Sequence, residues 1–249
     1  MKIRRKAPKA PPAKLPAYVI GYRGTPPAPT ELKFWFDLEY GGPLKWTDAA
    51  EHAVASHLMW QALVTLALPS ADADRWAQHS GWDHPSAATV VVPSSAKASI
   101  DLIVHGARLA RGLTLLTQGT AFDPATGRHF NPSDWSDRRL EAFDADDHIA
   151  VIEQESTDGD LRQWLFTRGL RRFGYDELEY FHPRGLNAAP VRAMLLAAAA
   201  ELILRPRATN VGSLIEVIDP PTRVTIVRHR TVSLADGTLI VRELRREPV

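Results

Sequence analysis

Between residues 148 and 245, six short stretches carry strand patterning and only one helix-length run interrupts them. HIAVIEQES (148–156), LRQWLFTRG (161–169), DELEYFHP (176–183), VGSLIEVID (211–219), RVTIVRHRTV (223–232) and TLIVRELR (238–245) are rich in β-branched and aromatic residues, and turn residues separate them. TDGD joins the first pair as a hairpin, and Ala235-Asp-Gly237 joins the last. The interruption is an alanine-rich segment that starts behind Asn187 and runs to Leu204, with Pro190 tolerable in its first turn. Hairpins combined with buried helices predict an α+β fold: mostly antiparallel sheet with helices packed on one face.

The first half uses the same vocabulary. AYVIGYR (17–23) reads as a strand ended by GTPPAPT. ELKFWFDLEY (31–40) alternates, with Leu32, Phe34, Phe36 and Leu38 on one face, and predicts a second strand. Thr47 is placed to cap a helix over 48–68 whose second half is apolar nearly all round and therefore buried. A shorter helix near 71–79, a strand at ATVVVP (88–93) and a helix over 96–117 capped by Ser94 or Ser95 follow. Lys97, Asp101, His105, Arg108 and Arg111 form a polar stripe on that last helix. A hairpin over 119–130 turns at Asp123–Gly127, and Asn131-Pro132 opens a helix to about 143. Ferredoxin-like units are the nearest architectural comparison. No Gly/Ser linker divides the chain, so residues 17–249 read as one compact unit with lobes at about 17–130 and 131–249.

Charge sharpens this picture. The 249 residues sum to a formal charge of +1, yet residues 1–16 carry six basic side chains and no acid, which leaves 24 basic against 29 acidic residues in the body. Pro8, Pro11, Pro12 and Pro16 rule out a helix in that arm and predict an extended, polyproline-like segment. Arg4, Arg5 and Lys6, with Lys2, Lys9 and Lys14, are candidate phosphate contacts for nucleic acid, helped by Arg223, Arg228, Arg230, Arg242, Arg245 and Arg246. Residues 134–160 hold ten acids against Arg138 and Arg139, a surface suited to a protein partner or to the arm itself. The absence of cysteine excludes disulfides, thiolate nucleophiles and iron–sulfur clusters. No apolar run reaches the ~18 residues of a membrane span, and the arm lacks the apolar region of a secretory signal.

Motifs for cofactors are missing: the sequence contains no phosphate-binding glycine loop, dinucleotide fingerprint, zinc-protease helix or hydrolase elbow. Asp144, Asp146, Asp147 and His148 form the one stretch resembling a hard-metal site, without the spacing of a calcium loop. A hydrolase or transferase would have to gather scattered residues such as His84, His105, Asp123 and His129.

Trp164-Leu-Phe-Thr167-Arg-Gly169-Leu-Arg-Arg-Phe173-Gly174-Tyr-Asp-Glu177-Leu-Glu179 resembles a W-x-x-T-x-G-[LM]-x-x-F-G-x-x-[DE]-L-E stretch of uncharacterised bacterial proteins of domain-of-unknown-function type. The D-P-x-T-G turn at residues 123–127 and the helix after residue 187 are similar to theirs. The resemblance implies a bacterial, cytoplasmic α+β protein and no particular activity. In physical terms, the two glycines supply backbone angles that other residues resist. Leu170 and Phe173 plug the sheet, and Thr167, Arg168, Arg171, Arg172 and Asp176 stand exposed at a sheet edge as candidate binding residues. The leading expectation is a non-enzymatic binding protein, of immunity or adaptor kind, whose partner is another protein.

Overall fold

The computed structural model describes residues 17–49, 52–92, 99–156, 162–219, 221–234 and 237–247. Arg4, Arg5 and Lys6, Lys97, Ser94, Ser95 and the TDGD turn lie outside them. The protein is α+β, built on two sheets. The first contains β1 (Tyr18–Tyr22), β2 (Lys45–Asp48), β3 (Ala53–His57), β4 (Trp60–Thr65), β5 (Ser86–Val91), β6 (Thr120–Asp123) and β7 (Arg128–Phe130), in the order β2-β3-β4-β5-β1-β6-β7. The second contains β8 (Ala150–Glu155), β9 (Arg162–Arg168), β10 (Glu177–Pro183), β11 (Leu214–Val217), β12 (Thr222–Leu234) and β13 (Gly237–Arg246), in the order β11-β12-β13-β10-β9-β8. Every pairing is antiparallel except β10 with β13. Neither order reproduces the βαββαβ unit of a ferredoxin-like fold. The helices are α1 (Pro29–Tyr40), α2 (Ser70–Ser80), α3 (Ile100–Thr117), α4 (Pro132–Ser136), α5 (Ala145–His148) and α6 (Ala189–Leu204). Among the described residues, no helix is long and apolar enough to cross a membrane.

The second half follows its patterning, whereas the first departs from it twice. Residues 31–40 belong to helix α1, not to a strand. Leu32 and Phe36, four apart, are the buried pair, while Phe34 and Leu38 are 68% and 70% exposed. Local chemistry favours the helix: Pro29 sits in the first turn, the Glu31 carboxylate accepts from the Ala28 N–H at 2.6 Å, and Gly41 ends it at φ 66°. The described residues of 48–68 form the end of β2 and the strands β3 and β4, not a helix. Their hairpin turns at Leu58-Met59, both exposed, with Leu58 at φ 53°. The helix expected to reach 143 stops at Ser136, and the one expected from 96 is described from Ile100, capped by Ser99.

Two cores result. Tyr18, Ile20 and Tyr22 of β1 pack with Leu32, Phe36, Leu109, Leu113 and Trp135 on one face of the first sheet. On its other face α2 covers Val19 and Ala87, so helices flank both sides. α6 seats Leu195, Ala198 and Leu202 on Leu165, Leu178 and Ile226 of the second sheet. Ile103 of α3 belongs to that second core, so α3 ties the lobes together. The expected lateral stripe on α3 is not a solvent face. His105 is fully buried with Nε2 3.1 Å from the Ala55 carbonyl, and Arg111 is tucked under Glu39 and the Tyr40 hydroxyl, both at 3.0 Å.

Candidate functional site

The D-P-x-T-G turn and the glycine-bracketed segment, 49 residues apart, meet where the lobes join. Asp123, at the end of β6, has no exposed surface. Its carboxylate accepts from the Ala125 N–H at 3.0 Å and the Thr126 hydroxyl at 2.9 Å, which closes the turn. The same carboxylate pairs with the Arg172 guanidinium from the second lobe. Burial opposes the charge on Arg172, but Asp123 and Tyr18 outweigh it and hold its pKa up.

Arg172 is positioned by a 3-10 turn over Leu170–Phe173 whose flanking glycines adopt φ 119° and 84°. A Cβ on Gly169 would lie 2.4 Å from the His148 carbonyl oxygen, so both the angle and the space demand glycine there. Glu177 holds the turn from beneath. Its carboxylate accepts from the N–H groups of Gly169 at 2.9 Å, Leu170 at 3.2 Å and Arg171 at 3.3 Å. Thr167 completes the set as a relay: the Leu178 N–H donates to its oxygen and its hydroxyl donates to Glu177, each at 2.8 Å. Burial pushes the Glu177 carboxyl above its ordinary range, and these four donors work against that. Thr167→Val keeps the shape and removes both relay bonds. It should cost about 2 kcal/mol in urea denaturation, because the Leu178 N–H and one Glu177 oxygen are left without partners.

The rest of the pattern is structural as well. Glu179, fully buried, accepts from the Trp164 indole at 2.7 Å and from two Arg230 nitrogens at 2.7 Å. The Arg230 guanidinium lies over the rings of Trp164 and Phe181 at 5.5 and 5.0 Å. Several expected binding residues are therefore not exposed at an edge. Thr167 is buried, Arg172 is committed to Asp123, and Asp176 is paired with Arg242 at 2.7 Å. Of the residues proposed for partner contact, Arg168 is half-buried and Arg171 exposed.

These two arginines line a cleft of about 580 Å3 between the lobes. Trp76 and His79 of α2 and the Pro124-Ala125 turn form its wall on one side. Leu234 and Leu239 of the β12–β13 hairpin form the other, and Glu177 lies beneath. Trp76, Leu234 and Leu239 carry no sequence signal for this wall, and His79, five residues before His84, has the wrong helical spacing for a metal pair. Trp76 and His79 are three apart on a helix and so share a face, but no local pattern tells that this face looks at another lobe.

The scattered catalytic candidates do not converge. His105 lies in the first core, on the face of the sheet opposite His84 and His129. These two flank Trp82, with centroids at 5.6 and 6.3 Å; His129 meets the Ser80 carbonyl at 3.0 Å and His84 the Thr120 hydroxyl at 3.3 Å. Asp123 is spent on its turn and on Arg172. The acidic stretch also separates. Asp144 caps α5, Asp146 and Asp147 pair with Arg138, and His148 turns into the core, stacked on Phe143 at 5.6 Å. Among the described residues, no group of three or more His, Asp or Glu is arranged to hold a metal ion. Four of the C-terminal arginines are similarly engaged: Arg223 with Glu216, Arg228 with Glu243, Arg230 with Glu179 and Arg242 with Asp176.

No protein-family model, curated protein or solved structure matches the chain.

Proposed function

We propose that the protein is a non-enzymatic binding protein, of immunity or adaptor kind, that takes a segment of another protein into the cleft between its lobes. The cleft itself carries this reading. It joins an exposed guanidinium, Arg171, to a half-buried indole, Trp76, and to the aliphatic side chains of Leu234 and Leu239. Arg and Trp are the side chains on which interface energy concentrates, and a guanidinium selects carboxylates through paired hydrogen bonds. The occupant that suits this lining is an acidic residue beside an apolar one. Glu177 fixes the backbone of the turn that carries Arg171, so little ordering is left for the moment of binding. Engagement of Arg223, Arg228, Arg230 and Arg242 with carboxylates favours a protein partner over a nucleic acid, because those guanidiniums are already neutralised.

Selection of a displayed random-peptide library on the purified protein tests the reading. Enrichment of Asp or Glu next to aromatic or aliphatic residues is expected, with at least ~10-fold weaker binding to an Arg171→Glu variant, the equivalent of about 1.4 kcal/mol. The Arg171 side chain is exposed, so unfolding temperatures of the two proteins should coincide. Absence of enrichment, or selected peptides that bind the variant equally well, would overturn the cleft as the binding site.

A further inference from the structure

We propose that residues 1–16 dock in cis along the groove between α6 and the segment 137–147, the cationic arm covering an acid-rimmed apolar surface of its own chain. The groove measures about 700 Å3. Its floor is the outer side of α6: Ala193, Leu196, Ala197, Ala200 and Leu204, of which Leu204 is 56% exposed. Six carboxylates line it against two guanidiniums, Arg138 and Arg139. Arg138 is taken up by Asp146 and Asp147. Asp137, Glu141, Asp144 and Asp219 stand exposed along the rim. None of these four has an ion-pair partner among the described residues.

Three observations select the arm as occupant. The first is charge: Lys2, Arg4, Arg5, Lys6, Lys9 and Lys14 carry no acid among them and suit the carboxylate rim of this groove better than the inter-lobe cleft, which presents the exposed Arg171. The second is where the described chain begins. The Ala17 N–H bonds to the Val90 carbonyl at 2.8 Å, and the ring of Tyr18 meets that of Trp135 at 6.3 Å. Trp135 lies two residues before Asp137, and Asp147 is close enough to raise the pKa of the Tyr18 hydroxyl. The described chain therefore begins in the first lobe, with the groove within the arm's span. Sixteen residues can span up to roughly 50 Å, ample for a body whose radius of gyration is on the order of 18 Å. The third is periodicity. Ala7, Ala10 and Ala13 recur at every third residue, as do Lys6 and Lys9. The small residues suit the alanine floor while the lysines meet the rim.

Two measurements test this. Carbodiimide cross-linking of the intact protein, followed by peptide mapping, should join Lys6, Lys9 or Lys14 to Asp137, Glu141, Asp144 or Asp219. Mixing isotopically labelled and unlabelled protein should show those links within one chain. In addition, a synthetic peptide of residues 1–16 should bind protein lacking them. Its affinity should fall at least ~10-fold with Glu141→Lys/Asp219→Lys, fall with added salt, and stay unchanged with Arg171→Glu. Links to other acids, links between chains, or a peptide that binds the charge-reversed groove equally well would overturn the proposal. A peptide that binds an oligonucleotide but not the protein would do the same. None of these outcomes depends on the inter-lobe cleft, so the two readings fail separately.

Discussion

Replacing Asp123 by alanine is expected to lower the free energy of unfolding by about 3–5 kcal/mol, because it leaves Arg172, whose side chain is only 13% exposed, charged and without its partner. The loss has two parts. The turn forfeits the bonds from the Ala125 N–H and the Thr126 hydroxyl, and the lobe junction forfeits its ion pair. For a chain of this length the unfolding midpoint should fall by roughly 10 °C. The double variant Asp123→Asn/Arg172→Met should recover much of the loss, since removing both charges costs less than orphaning one. Completing the cycle with the single variants gives the coupling energy between the lobes. A loss under about 1 kcal/mol for Asp123→Ala would mean that Arg172 finds water when the pair is broken, and that this pair adds little to the junction of the lobes.

The pairing of Asp123 with Arg172 was not legible in the sequence. Each residue belongs to a local pattern that can be read, a turn and a glycine-bracketed segment, but nothing in either pattern points across 49 residues to the other. Glu177 and Glu179 left a better trace. In DELEYFHP they alternate in phase with Phe181, so two acids share a strand face with an aromatic ring, which predicts that they are paired and covered. The second half was legible because its strands alternate and its turns contain glycine. In the first half, the apolar residues of 31–40 satisfy period 2, but only Leu32 and Phe36, one helical turn apart, reach the core. The signals that decide for a helix, Pro29, Glu31 and Gly41, lie at the ends and not in the periodicity. In residues 48–68 the turn is built from Leu58-Met59 and lacks turn chemistry, so a hairpin looks like a continuous apolar helix. Of the site, the arginines were visible as candidates. The partner wall of the cleft was not, because it depends on how α2 and the β12–β13 hairpin face one another.

His105 and His148 make the fold acid-labile well above the carboxylate range. Burial, the largest influence on both, pushes the His105 pKa down to about 4 and that of His148 to about 3. For His105 the nearby charges on His57 and Arg108 act in the same direction, against the bond to the Ala55 carbonyl. For His148 the guanidiniums of Arg172 and Arg138 do so, and neither ring nitrogen has a hydrogen-bond partner among the described residues. Both imidazoles are neutral in the native state, whereas in the unfolded chain they take a proton near pH 6.5. The unfolded state therefore binds more protons below pH 6.5, and stability falls with pH until the folded pKa values are reached. Between pH 7 and pH 5 the cost is about 2 kcal/mol for each histidine. Glu177 and Asp147, whose pKa values burial raises, titrate with the opposite sign, so the decisive readout is a comparison of variants. His148→Phe preserves the stack on Phe143 and removes the proton-binding group. Urea denaturation of this variant should show a loss between pH 7 and pH 5 smaller than the wild type's by about 2 kcal/mol, the remainder coming from His105 with His57 and His84, whose pKa values burial also lowers. A variant with the full wild-type pH dependence would place the titration elsewhere and return His148 to a purely steric role.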